Sequence, residues 1–373
     1  MKIMTIVGTR PEIIRLSRVI ARLDDTAEHV LVHTGQNYDY SLSQVFFDDL
    51  SLRPPDHYLK VDTSSLGHVL GETLIKSEAV LKQERPDAVL VLGDTNSCIA
   101  SVMAKRMHIP VYHMEAGNRC FDENVPEETN RRLVDHVADF NLVYTEHARR
   151  NLLAEGLHPR RIMLTGSPMR EVLDHYRPQI DASDVLPRLD LKPLGYVVAS
   201  SHREETVDDP QRLASLLDSF RAVRDRWHVP VIVSTHPRTR QRVQSAAADD
   251  LDRIMFHEPF GFLDFVRLQM NALCTLSDSG TISEESAILG FPAITLRDSI
   301  ERPESLDAGS ILMSGIEPAG VLEAMAALVG GGADRRPSSV APEYTIADCS
   351  RRVVRFIVST ARRHPLWAGL SRS

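Results

Sequence analysis

Residues 88–97 read AVLVLGDTNS, and residues 110–132 read PVYHMEAGNRCFDENVPEETNRR. Each begins as a short apolar run and breaks into a polar turn, the pattern of a buried strand that ends at a loop. Asp94 and Glu115 fall where these predicted strands end, and Glu127 is expected in the loop after the second. In an open parallel α/β sheet that edge is where ligands sit. Three carboxylates converging there suit acid/base chemistry, because a carboxyl group can be tuned to give or take a proton near neutral pH.

Outward from this stretch, apolar bursts alternate with helical segments along the whole chain. Strands are expected at Lys2–Val7, His29–His33, Ala88–Leu92, Pro110–Met114, Asn141–Tyr144 and Arg161–Leu164. A second series is expected at Tyr196–Ser200, Pro230–Ser234, Ile254–Phe256, Leu273–Leu276 and Pro292–Leu296. Amphipathic stretches such as Leu66–Gln83 and Asn130–Val137 separate them. This alternation predicts an α/β protein with parallel sheets covered by helices on both faces. The series breaks near Ser167–Pro193, so two Rossmann-like, doubly wound domains facing a cleft are expected. Their boundaries are placed at 1–168 and 169–344, with Gly330–Pro342 as a connector. A closing helix over Cys349–Arg362, within 345–373, is expected to pack back on the first domain.

At 373 residues the chain is long for a single core. Its 43 basic against 51 acidic residues leave a net charge of −8, which disfavours a broad grip on nucleic acid. Phosphate binding therefore has to come from placed cations. Cys98, Cys120, Cys274 and Cys349 lie far apart, against both a disulfide framework and a zinc site. No apolar run approaches the length that spans a bilayer. A cytoplasmic enzyme with no membrane partner is the expectation.

Other strand ends carry further candidates. Gly8-Thr9-Arg10-Pro11-Glu12 contains a T-x-x-E capping box, so a helix begins there and offers free N–H groups to an anion, with Arg10 as a fork for phosphate. The same residues also read as an ordinary cap with a solvent-facing arginine. Ser277 to Glu285 (SDSGTISEE) places small residues at a strand-to-helix turn, where backbone N–H groups approach a phosphate closely, and Glu285 suits a ribose diol. Here the alternative is that Glu284 and Glu285 complement the helix dipole. Ser200-Ser201-His202-Arg203-Glu204-Glu205 puts a His–Arg pair at a third strand end, fitting a diphosphate. Arg297 and Arg302 complete the candidate cations. Thr235–Arg238 and Phe260–Phe265 read as loop entrances to helices, with aromatic rings that suit either a base or core filling. No GxGxxG follows a strand, so a nicotinamide or flavin is disfavoured and no cofactor is expected. Asp94, His113, Glu115 and His202 lack helical metal-ligand spacing, so no metal is expected.

GTRPE, GDTNS, MEAG followed by PEETNRR, SHREE, DSGTISEE and ERPE occur in the order and spacing seen in the non-hydrolysing UDP-N-acetylglucosamine 2-epimerases. The chain resembles that family over nearly its whole length. The resemblance implies the two-domain architecture of the GT-B glycosyltransferases and a UDP-sugar substrate. It implies that Arg10, Arg15, His202, Ser279, Gly280, Thr281, Glu285 and Arg302 hold UDP, with Phe265 near the uracil; Arg203 joins them as the partner of His202. Asp94, Glu115 and Glu127 would be the catalytic carboxylates, with His202 beside the leaving group. A homodimer is also implied. Where the commonest family pattern has EAGLRT, GHRREN and DSGGIQEE, this chain has EAGNRC, SHREET and DSGTISEE. Those departures resemble the subgroup that makes UDP-N-acetyl-L-fucosamine from UDP-2-acetamido-2,6-dideoxy-L-talose for capsule or O-antigen synthesis. Gln36-Asn37-Tyr38-Asp39 replaces the histidine and arginine by which some members bind a second, activating nucleotide sugar.

No carbonyl neighbours C2 of a 2-acetamido sugar to acidify its hydrogen. Without a nicotinamide to oxidise C3, the remaining route expels UDP as C2 loses its proton and then adds it back. That chemistry needs cations around a diphosphate and at least two proton-handling groups, which this residue set supplies. A GT-B glycosyltransferase, a nucleotide-sugar sensor and a hydrolysing epimerase are the rival expectations.

Overall fold

The computed structural model describes residues 1–35, 47, 49–201, 204–235, 251–330 and 339–370. The chain divides into two compact units, Met1–His175 with Thr345–Ser373, and Tyr176–Tyr344. In the first, seven strands form one parallel sheet: β1 (Lys2–Val7), β2 (Glu28–His33), β3 (His57–Tyr58), β4 (Ala88–Leu92), β5 (Val111–Met114), β6 (Phe140–Val143) and β7 (Ile162–Leu164). Their spatial order is β3-β2-β1-β4-β5-β6-β7. Every residue of β4 is buried, as a central strand covered on both faces requires. Val89 and Val91 join Met4, Ile6, Val30 and Val32 in one core cluster beneath the helices.

The second unit repeats the plan with β8 (Val197–Ser200), β9 (Val231–Ser234), β10 (Ile254–His257), β11 (Cys274–Ser277), β12 (Ala293–Thr295) and β13 (Leu312–Met313). Their order is β10-β9-β8-β11-β12-β13, again wholly parallel. The strand order reverses between β1 and β4 in one sheet and between β8 and β11 in the other. Loops leaving neighbouring strands at such a reversal diverge to opposite faces and open a crevice at the strands' carboxyl ends. The loops after β1 and β4 begin with Gly8 and Gly93, and those after β8 and β11 begin with Ser201 and Asp278. Four of the motifs singled out from sequence therefore occupy the two switch points.

Two expectations need correction, the place of Glu127 and the end of the closing helix. Glu127 does not lie in a loop: it is in the first turn of helix Pro126–Val137, which starts four residues before the expected Asn130. Proline at the first helical position has a pre-set φ and loses no hydrogen bond there, and acidic residues favour that end of the dipole. Between the two strand series, Ser167–Pro193 is largely helical, as Met169–Ala182 and Val185–Arg188. Met169, Val172, Leu173, Tyr176 and Ile180 bury one helical stripe of the first of these helices, which continues through Pro178. The closing helix stops at Thr360 and tightens into a 3-10 turn over Ala361–Arg363. It lies against helix Arg10–Thr26, where Arg22 Nε donates to Ser350 Oγ at 2.8 Å. Phe356 meets Phe140 edge-on with ring centroids 5.3 Å apart. Among the described residues no helix is long and apolar enough to cross a membrane.

Candidate active site

The loop after β1 turns directly into helix Arg10–Thr26, with Thr9 as its N-cap. Glu12 closes the capping box but does not face water. It is buried, and its Oε2 accepts from Gly8 N at 3.0 Å, Thr9 N at 2.7 Å, Thr9 Oγ1 at 2.7 Å and Thr95 Oγ1 at 3.1 Å. Its Oε1 accepts from Ser97 Oγ. This one carboxyl group therefore clasps the loop after β1 to the loop after β4, fixing Arg10 and Asp94 at the same switch point. Burial pushes it up to about 7, against the pull of its hydroxyl and amide donors. The folded chain thus holds that proton more tightly than the unfolded chain, whose carboxyl titrates near 4.5. Stability should fall as pH rises from about 4.5 to about 7 and level off above. Glu12→Gln is expected to flatten that slope by about 3 kcal/mol across the interval. Urea denaturation at a series of pH values checks this, and parallel curves for the two proteins would remove the assignment.

Arg10 itself is half-buried at the first helical position, where burial lowers its pKa from the ordinary value. Five residues later Arg15 is buried, and its guanidinium donates to Glu115 Oε2. Arg15, which the sequence resemblance assigns to UDP, thus also pairs with a candidate catalytic carboxylate. Glu115 leaves β5 at φ 65°, a left-handed conformation uncommon for a side-chain-bearing residue. Asn118 Nδ2 donates to its other oxygen at 3.3 Å.

Asp94 leaves β4 after Gly93, whose φ of 75° makes the turn. Its Oδ2 takes two bonds from Arg131, at 3.1 Å from Nε and 2.6 Å from Nη2. Arg131 is buried and also donates to the buried Glu128 at 2.9 Å. Asn130 Nδ2 adds a bond to Asp94 O at 3.0 Å. Glu127, Asn130 and Arg131 stand at i, i+3 and i+4 and so share one face of helix Pro126–Val137. Since Asn130 and Arg131 reach the Asp94 loop, Glu127 is presented on that same side. Among the described residues Glu127 makes no hydrogen bond or ion pair, leaving its half-exposed carboxylate the least constrained of the three.

Behind these groups lies a polar hub on Asp135, fully buried on the same helix. It accepts from Gly117 N at 3.2 Å and from Arg119 Nη1 at 2.7 Å. Arg119 is fully buried and also grips Glu155 through two bonds of 2.7 Å. The His113 ring spans from Gly93 O, 2.7 Å from Nε2, to Asp135 Oδ1, 3.0 Å from Nδ1. His113 thus serves the scaffold. His113 holds the turn before Asp94 through Gly93 O, while Asp135 ties the loop after Glu115 to the helix bearing Glu127. Among the described residues no three His, Cys, Asp or Glu side chains group as metal ligands would.

In the second unit, Ser200 Oγ and Ser277 Oγ lie 2.9 Å apart across β8 and β11, and Ser201 Oγ donates to Asp278 Oδ2 at 2.8 Å. Ser279, Gly280 and Thr281 form the half-exposed turn into helix Ile282–Leu289, with Ser279 and Thr281 hydroxyls 3.0 Å apart. Arg302 is buried beneath this turn. Its Nε donates to Gly280 O at 2.9 Å, and its Nη2 meets Glu284 Oε2 at 3.1 Å. Arg297 pairs with Glu301 at 2.7 Å. Glu285 is buried and accepts from Gln269 Nε2 at 3.0 Å. Phe265 is partly buried against the cluster of Tyr196, Val198, Ile232 and Leu268. His202 and Arg203 lie outside the described residues, as do Gln36–Asp39 and His236–Arg238.

Sequence reading missed Arg131, Glu128, Asp135 and the role of Glu12. Arg131 carried a usable signal, since it stands one helical turn after Glu127. Asp135 carried none, because its partners His113, Gly117 and Arg119 stand on another strand and loop, 16 to 22 residues away in the chain.

A family model described as UDP-N-acetylglucosamine 2-epimerase matches residues 21–358. The structure of a UDP-N-acetylglucosamine 2-epimerase from Rickettsia bellii is similar at 45% identity, with a TM-score of 0.92 over 98% of each chain. A Methanocaldococcus jannaschii UDP-GlcNAc 2-epimerase, solved in complex with UDP-GlcNAc and UDP, is similar at 32% identity and a TM-score of 0.88, covering 96% of this chain and 100% of that one. A UDP-2,3-diacetamido-2,3-dideoxy-D-glucuronate 2-epimerase of Pseudomonas aeruginosa is 33% identical over 84% of this chain and 88% of its own length. The kitacinnamycin glycotransferase, 12% identical, shares only the two-unit fold of GT-B type, at a TM-score of 0.59.

Proposed function

The chain belongs to the UDP-N-acetylglucosamine 2-epimerase family, and from that premise we propose that it inverts C2 of a UDP-2-acetamido sugar by expelling and re-adding UDP. It is an isomerase of UDP-sugars. In the first step a carboxylate takes the C2 proton while the C1–O bond breaks, and UDP departs with the bonding electrons. The new C1=C2 bond makes a glycal. In the second step UDP re-adds to C1, and a proton arrives at C2 on the opposite face. Atoms balance without any oxidant.

What supports this reading best is that Glu115 lies beside the turn that carries Asp94, with Glu127 on the helix face whose Asn130 and Arg131 bond to Asp94. Arg131 and Arg15 pair with Asp94 and Glu115, and a cation beside a carboxylate favours its charged form. Arg10 and the Ser279–Thr281 turn are assigned to the diphosphate, with His202 and Arg203 completing that set. Glu285 and Phe265 are assigned to the nucleoside end, and Arg302 shapes the Gly280 turn from beneath.

The substrate we assign is UDP-2-acetamido-2,6-dideoxy-L-talose, giving UDP-N-acetyl-L-fucosamine for capsule or O-antigen polysaccharide. The motif departures EAGNRC, SHREET and DSGTISEE support it. The second reading is interconversion of UDP-N-acetylglucosamine and UDP-N-acetylmannosamine, supported by the names of the relatives. Incubating the protein with each substrate and following C2 configuration by NMR separates them. Inversion of the L-talo sugar alone supports the first assignment, inversion of UDP-N-acetylglucosamine alone the second, and inversion of neither would overturn both.

A further inference from the structure

We propose that Asn118 is a positioning residue that fixes the Glu115 carboxylate for proton abstraction, an inference that rests on the C2 epimerisation proposed above. The loop from Glu115 to Cys120 is anchored on both sides of Asn118. On one side Gly117 sits at φ 82°, where an added Cβ would lie 2.4 Å from Ala148 O, so the backbone is pressed against helix Glu146–Ala154. Gly117 N donates to Asp135 and Gly117 O accepts from Asn151 Nδ2 at 3.0 Å. On the other side Arg119 is clamped between Asp135 and Glu155, and its Nη1 also donates to Asn118 O at 2.7 Å. With its backbone held, the buried Asn118 side chain turns back three residues and donates to Glu115 Oε1.

Arg15 meets Oε2 of the same carboxylate. Two donors on two different oxygens fix the plane of the group and favour its charged form. A hydrogen bond to a charged group is worth roughly 10-fold in an equilibrium.

Asn118→Leu and Asn118→Ala test the proposal, with thermal unfolding to confirm that each folds. Turnover is expected to fall about 10-fold in both, with KM changed less than about twofold. Removing a donor to the anion raises the carboxyl's proton affinity, so the acid limb of the pH profile should move to higher pH. Turnover and an acid limb matching the unsubstituted protein in both variants would overturn it. A second measurement needs no turnover: the 13C-detected titration of the Glu115 carboxyl, compared between the unsubstituted protein and Asn118→Leu. A higher midpoint in the variant supports the assignment even if the C2 reaction itself proves wrong. Coincident midpoints overturn it even if epimerisation is demonstrated.

Discussion

Glu115→Gln is expected to lower turnover on the order of 100-fold or more, and Asp94→Asn to do the same, while circular dichroism of both variants stays that of the native fold. Each substitution keeps shape but removes the charge that accepts a proton. The two should differ in stability. The Glu115 side chain is 14% exposed and that of Asp94 28%, and Arg131 keeps Glu128 when Asp94 is neutralised. Breaking the more buried ion pair costs more, so Glu115→Gln should unfold at the lower temperature of the two. Near-normal turnover in both variants would take these carboxylates out of the mechanism. Loss in only one would identify the proton carrier and leave the other as a holder of Arg131 or Arg15.

Asp135→Ala is expected to destabilise the first unit by about 3–5 kcal/mol, the range for breaking a buried ion pair by removing one partner. Arg119 would be left fully buried with Glu155 alone, and Gly117 N would lose its acceptor. Since whole domains are stable by only about 5–15 kcal/mol, the loss should be plain in a urea titration at neutral pH. A change below about 1 kcal/mol would mean that the hub is redundant. The chemical consequence is separate: the loop that sets Glu115 at φ 65° would lose its anchor, so activity should fall before the protein unfolds.

The eleven expected strands are all present to within a residue or two, because fully buried parallel strands are continuous apolar runs and need no context to recognise. His57–Tyr58 and Leu312–Met313 escaped because two residues cannot display a period. The candidate carboxylates were visible because strand-end position is itself a local signal. Their environment was not. Glu12 reads as a solvated capping residue until the loop after β4 closes over it and five donors surround it. Asp135 reads as one more polar residue on an amphipathic helix; only the fold brings His113, Gly117 and Arg119 to it. Arg15 shows the same limit in reverse. It stands five residues after Arg10, about 1.4 helical turns on, and the sequence does not say that its guanidinium meets Glu115.

Proton loss at C2 is the step on which the proposed chemistry turns, and turnover in deuterated water reads it directly. Elimination and re-addition should place deuterium at C2 of the product and, through reversal, of the recovered substrate, with free UDP and a glycal in stalled mixtures. Product that forms at the normal rate with only hydrogen at C2 would contradict the mechanism.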